Sequence, residues 1–115
     1  MAAPGKFELR TVDEELIQEV TRTIVEKFAP KRIILFGSHA RGDAKPDSDL
    51  DLLIEMESDK PWLERNVELQ MAFGDRDWAM DLLVFTPEEM ERERNFLGGV
   101  VRTAEREGMI LYERS

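Results

Sequence analysis

Two short apolar runs joined by a polar link, Ile33 to Ile54, restrict the fold of this 115-residue chain more than any other stretch. The first run, Arg32 to Phe36, is rich in β-branched and aromatic residues and predicts a buried strand. Gly37 follows at once, where the backbone can turn sharply and a ligand can come close. Ser38 to Arg41 can then start a short helical turn, whose leading N–H groups and dipole favour an anion. Ser38 adds a hydroxyl donor, and Gly42 can close the turn in a left-handed conformation. Gly37 and Ser38 therefore have the character of a phosphate cradle. Arg41, one turn on, can hold a phosphate or a neighbouring carboxylate, or simply position the loop.

The second run opens with Asp49-Leu50-Asp51, after ten residues counted from Ser38. In a strand, residues i and i+2 share a face, so Asp49 and Asp51 emerge together while Leu50, Leu52 and Ile54 point the other way. Two adjacent carboxylates repel, and one resists ionising unless a cation lies between them. Magnesium suits such oxygen donors and keeps part of its coordination shell for substrate phosphates. A carboxylate pair beside a phosphate cradle is a site for a metal–nucleotide complex.

The pattern Gly37-Ser38, ten residues, Asp49-x-Asp51 resembles the signature of the nucleotidyltransferase superfamily that includes polymerase β. The fuller string, Gly37-Ser38-x-Ala40-Arg41-Gly42 ending in Ser48-Asp49-x-Asp51-Leu52, is similar to its small stand-alone branch, the minimal nucleotidyltransferases (MNT). Asp75-x-Asp77 repeats the carboxylate spacing without the Gly-Ser and has no assigned role. The resemblance implies an α/β fold, a small mixed β-sheet with helices mainly on one face. It also implies two Mg2+ ions and ATP as substrate, with Asp49 and Asp51 holding both ions. A third carboxylate on the next strand completes the metal site in the family, and Asp81 matches that place. Asp81 is the only charge in the apolar run Ala79 to Phe85, where a carboxylate is costly unless paired or metal-bound; the plainer alternative is a strand-edge Asp near solvent.

Apolar residues make up 42% of the chain, enough for one core. We expect residues 1–10 to be a flexible N-terminus and 11–115 a single domain. The chain has no cysteine, so disulfides and thiolate chemistry are excluded. No apolar run approaches a membrane span, and the first residues lack the apolar core of a secretory signal, so a cytoplasmic location is expected. The net charge of −9 makes nucleic acid an unfavoured direct partner, because a polyanion needs a basic face.

Elsewhere, Thr11 and Glu14 have capping-box spacing ahead of a helical stripe from Val12 to Phe28, which Pro30 ends. Ser58 or Asp59 is expected to cap the next helix, with Pro61 in its first turn. That helix carries Trp62, Leu63, Val67, Leu69, Met71 and Phe73, more apolar than a fully wet face allows, and Gly74 can close it. Thr86-Pro87-Glu88-Glu89 is a second capping box. Val100 to Glu107 reads as a short helix ended by Gly108, and Met109 to Glu113 as an edge strand. His39, the only histidine, reads as an exposed side chain, Ser48 as a cap of the loop before the strand, and Tyr112 as packing.

The resemblance leads to a function in stages. The expected reaction is nucleotidyl transfer from a nucleoside triphosphate to an acceptor hydroxyl, with Asp81 serving the acceptor. Minimal members are often paired with a small helical HEPN-type protein encoded nearby, as antitoxin and toxin, and add AMP to a tyrosine of that partner. That reading leads here. The alternatives are a small-molecule transferase whose pocket a dimer mate completes, and a non-catalytic antitoxin that only binds and blocks its partner.

Overall fold

The computed structural model describes residues 10–45 and 47–114. The order of elements is α1 (Glu14–Phe28), β1 (Arg32–Phe36), α2 (Ser38–Arg41), β2 (Leu50–Glu55), α3 (Trp62–Met71), β3 (Met80–Phe85), α4 (Pro87–Glu93), α5 (Val100–Glu107) and β4 (Met109–Glu113). The four strands form one mixed sheet in the order β3-β2-β1-β4. β1 is antiparallel to both β2 and β4, whereas β2 and β3 are parallel and joined by the crossover helix α3.

Strand alternation builds two cores. Ile33, Leu35, Leu50, Leu52, Ile54, Leu82 and Val84 face one side, where Leu16, Val20 and Ile24 of α1 and Leu69 of α3 cover them. Ile34 and Leu53 face the other side and meet Met90 of α4 with Val101 and Ala104 of α5. The larger core and the longer helices share the first face, as the sequence led us to expect. The second face is covered only in part, and its uncovered end carries Asp51.

Two expected helix caps are corrected. Asp13, not Thr11, begins α1: its carboxylate accepts from the Leu16 N–H at 2.9 Å. An Asp at the cap, with Glu14 and Glu15 in the first turn, satisfies the leading N–H groups and suits the positive end of the dipole. At α3 neither Ser58 nor Asp59 caps. Pro61 occupies that position with no side-chain bond, and the Ser58 hydroxyl accepts instead from Lys60 N–H at 3.1 Å. The Thr86–Glu89 box forms as expected, with both reciprocal bonds present.

Arg65 ties α3 to the sheet. It is buried, and its guanidinium holds both oxygens of Glu89 at 2.6 and 2.9 Å and the Val84 carbonyl at 3.1 Å, while Nε reaches the Lys60 carbonyl. The Arg65 guanidinium holds the Glu89 carboxyl down at about 2. Among the described residues no helix is long and apolar enough to cross a membrane. The expectation of a flexible N-terminus falls on residues outside those described, except Arg10. Its N–H bonds to the Asp77 carbonyl, and its side chain pairs with Glu19 at 2.9 Å.

Candidate active site

The site residues come from three adjacent chain segments at one end of the sheet. β1 ends at Phe36, whose register partner on β2 is Asp51. Asp51 is in turn the register partner of Asp81 on β3. The parallel pairing begins before the strands proper, with Leu50 N–H donating to the Ala79 carbonyl at 2.9 Å. Asp49 therefore stands at the mouth of β2, two residues before Asp51 and exposed. Asp81 is also exposed, and Asp51 is half-buried between them.

The same face of β2 carries another carboxylate, Glu55, at its other end. Glu55 is buried, but it has Arg32 at 3.0 Å and Lys31 at 3.7 Å. Among the described residues, no such ion pair reaches Asp49, Asp51 or Asp81. Burial first, then the Asp81 and Asp49 charges, raise the Asp51 pKa above its ordinary value, and His39 and Arg41 offset this only in part. One face thus has a neutralised carboxylate at its closed end and a group of uncompensated ones at its open end.

Gly37 explains how the cradle comes so close. Its φ of 75° lies in the left-handed region, and a Cβ built there would overlap the Asp51 carboxylate. After it, the Ala40 and Arg41 N–H groups both turn back to the Gly37 carbonyl at 3.1 Å, and Gly42, at φ 85°, returns to Ser38. The Ser38 and His39 N–H groups precede the first helical bond, as at any helix start. The Gly37 turn and the Asp51 carboxylate thus meet across a position where no side chain can stand.

His39 has a role that the sequence did not reveal. Its Nε2 lies 3.1 Å from the Ser48 carbonyl. A carbonyl only accepts, so Nε2 carries the proton and donates. The Ser48 hydroxyl meanwhile accepts from Lys45 N–H at 2.8 Å, the loop-capping role expected of it. His39 therefore fastens α2 to the link that delivers Asp49. It is half-buried rather than exposed, and the contact spans nine residues, beyond any local pattern. Arg41 donates to Asp43 at 3.3 Å in an exposed pair, a contact that helps to position the loop.

The donor set is made of hard oxygens and suits a divalent ion such as magnesium. A cation would relieve the repulsion that raises Asp51, and the space that a Gly37 Cβ would fill leaves room for a phosphate beside it. The residues fit such a group in chemistry. Among the described residues, no three His, Cys, Asp or Glu side chains converge as a ready ligand cage.

Comparison with known proteins identifies the family of the chain. The family described as "Nucleotidyltransferase domain" matches residues 17–114. A protein of Methanocaldococcus jannaschii, whose name marks it as a candidate protein adenylyltransferase, is 30% identical over 103 residues, covering 87% of this chain and 98% of that protein. The protein adenylyltransferase MntA of Thermococcus cleftensis is 37% identical over 57 residues, 50% of this chain and 57% of its own length. The chain thus spans little more than half of that relative. A solved structure from Sulfolobus solfataricus, described as that of a candidate nucleotidyltransferase, superposes with a TM-score of 0.60 at 19% identity, covering 87% of this chain and 79% of that one, a likeness of fold.

Proposed function

Because this chain belongs to the nucleotidyltransferase domain family, we propose that it transfers AMP from ATP to a hydroxyl of a protein, most simply a tyrosine of a small helical HEPN-type partner that it restrains as an antitoxin. The observation that carries the reading is the meeting of the Gly37-Ser38 turn with Asp51 across the space a Cβ would fill. The names of the relatives support a protein as acceptor.

In this reading the acceptor oxygen attacks the α-phosphorus of ATP. A new P–O bond forms, the bond to the β-phosphate oxygen breaks, and pyrophosphate leaves. Asp81, on the exposed side, receives the hydroxyl proton. The turn at Gly37 and Ser38 holds the outer phosphates through backbone N–H groups and a hydroxyl. Asp49, Asp51 and Asp81 are the residues that would hold magnesium, which when bound supplies charge stabilisation at the reacting phosphate. Arg41 and His39 keep the turn and the Asp49 link in place.

The test is transfer of label. The purified protein, with magnesium and the helical protein encoded beside it, is given ATP labelled at either the α- or the γ-phosphate. Label from the α-position alone should appear on the partner, with AMP found on a tyrosine by mass spectrometry, and Asp49→Asn should abolish it. A partner that binds but stays unlabelled while ATP is bound would make this chain a blocking protein. Label on a small molecule instead would point to a different acceptor class.

A further inference from the structure

The two edges of the sheet are finished differently. On β3 the apolar residues Met80, Leu82 and Val84 are 5%, 4% and 0% exposed. On β4, Met109 and Ile110 are 52% and 53% exposed, and the strand ends the sheet with its outer side free among the described residues. Its sequence, Met109-Ile110-Leu111-Tyr112-Glu113, has no lysine or proline, residues that commonly guard an edge. Its guards are one register shift against β1 and the closing Glu113.

Beside this edge runs a groove of about 830 Å³, lined by Leu111 and Tyr112 of β4 and by Ile17 and Val25 of α1. The flank of α1 along the groove carries Glu14, Gln18, Arg22 and Glu26, one residue every four. All four are exposed, and among the described residues neither Glu14 nor Arg22 has an ion pair. α1 ends just before β1 begins and runs back against it, and β4 is also antiparallel to β1. Helix and edge strand therefore point the same way, and a two-fold axis beside β4 reverses both at once.

We propose that this groove is the contact between two copies of the chain, with β4 edge to edge against its counterpart and α1 antiparallel to the other α1. The charge order selects a second copy. Centred on Gln18, the axis sets Glu14 of each copy against Arg22 of the other, so two opposite-charge contacts form at once. Gln18 meets its own counterpart, where each amide can donate and accept, and Glu26 falls outside the paired span. The strand allows the same centre. Leu111 lies two residues into β4 and Gln18 five residues past the Asp13 cap, roughly 7 Å along each element. A foreign segment could cover the strand edge alone. A second copy brings the same apolar edge and the same charged pair in reverse order. The groove lies on the α1 side of the sheet, whereas Asp51 shares the other side with Leu53. Pairing thus leaves both candidate active sites open, and the inference stands apart from the acceptor proposed above.

The test is sedimentation equilibrium of the whole chain in about 0.15 M salt, which screens the net charge of −9. Circular dichroism on the same samples reports the fold. Wild type should be a dimer at micromolar concentration, and Ile110→Lys, which places a charge on the apolar edge, should be a folded monomer. Arg22→Glu and Glu14→Arg should each raise the dissociation constant by about tenfold or more, since like charges then face each other. The double variant restores opposite charges in exchanged places and should return to within about threefold of wild type. The two charged positions lie on an exposed flank, so they decide the matter should Ile110→Lys fail to fold. A wild type that is monomeric throughout the micromolar range would overturn the proposal, as would a folded Ile110→Lys variant that still dimerises. A double variant no tighter than either single one would equally remove the two-fold centred on Gln18.

Discussion

Asp51 and Asp81 stand opposite each other across the parallel β2–β3 pair, and only Asp51 is half-buried there. The cost of that placement appears in the raised pKa of Asp51, from burial first and then from Asp81 and Asp49. A raised pKa means that the folded chain holds this proton where the unfolded chain has released it. The Asp51 contribution to stability is therefore present at low pH and is lost as pH rises through the folded value. Asp51→Asn should accordingly melt higher than wild type at pH 7 without divalent ions, and the gain should fade toward pH 4, near the ordinary value of 3.8. The same substitution, and Asp49→Asn, should abolish nucleotidyl transfer. Melting curves across pH, beside a transfer assay, test both halves; a lower melting point at pH 7 would refute the account of the strained carboxylate.

Asp81 should separate binding from rate. It is exposed and lies on the strand farther from the Gly37 turn, so Asp81→Asn should keep most affinity for a nonhydrolysable nucleotide with magnesium while losing most of the transfer rate. Calorimetry and single-turnover kinetics decide this. An affinity loss as large as that of Asp51→Asn would erase the division of roles.

At the cradle, Gly37→Ala should be as damaging as larger substitutions, because the first added carbon already overlaps Asp51 and the backbone is left-handed. Ser38→Ala removes one hydrogen bond to a charged group and should weaken nucleotide binding by roughly 1.5–3 kcal/mol with little effect on melting. A triphosphate that binds Gly37→Ala normally would place the nucleotide elsewhere.

The Arg65–Glu89 pair should govern acid stability. Glu89 titrates at about 2 in the folded chain against an ordinary 4.5, and so does Glu105, held by Arg94 and Arg32. Depressed values contribute stability that is whole above about pH 5 and is lost as pH falls toward 2. Glu89→Gln leaves a buried guanidinium without its counter-charge and should cost about 3 kcal/mol at pH 7, read by urea denaturation. The wild-type loss between pH 5 and pH 2 should shrink in this variant.

The strand–turn–strand with its Gly-Ser and paired Asp was legible because each part obeys a local rule: apolar runs, a glycine at a turn, alternation in a strand. The Thr86 box was legible for the same reason. At α1 the local rule was ambiguous, since Thr11 and Asp13 both have capping side chains, and the structure shows Asp13 at the cap. The inward turn of α3 was not legible. Its buried Arg65 depends on Glu89, twenty-four residues away, and an apolar stripe alone does not say which side of a helix faces the core. The His39 bond to Ser48 was hidden likewise, because it forms only when the link folds back onto α2.

The parallel pairing of β2 and β3 has a consequence for how this site can vary. Asp51 and Asp81 are aligned by the sheet ladder, not by the thirty-residue path between them. Residues added or removed around Gly74 and Asp75 change the length of that path without moving either carboxylate. The link from Asp43 to Ser48 has no such freedom, since His39 holds its end. Diversity in relatives should therefore accumulate around α3 and spare the shorter link, so that a lineage can remodel what it touches while the chemistry stays where it was.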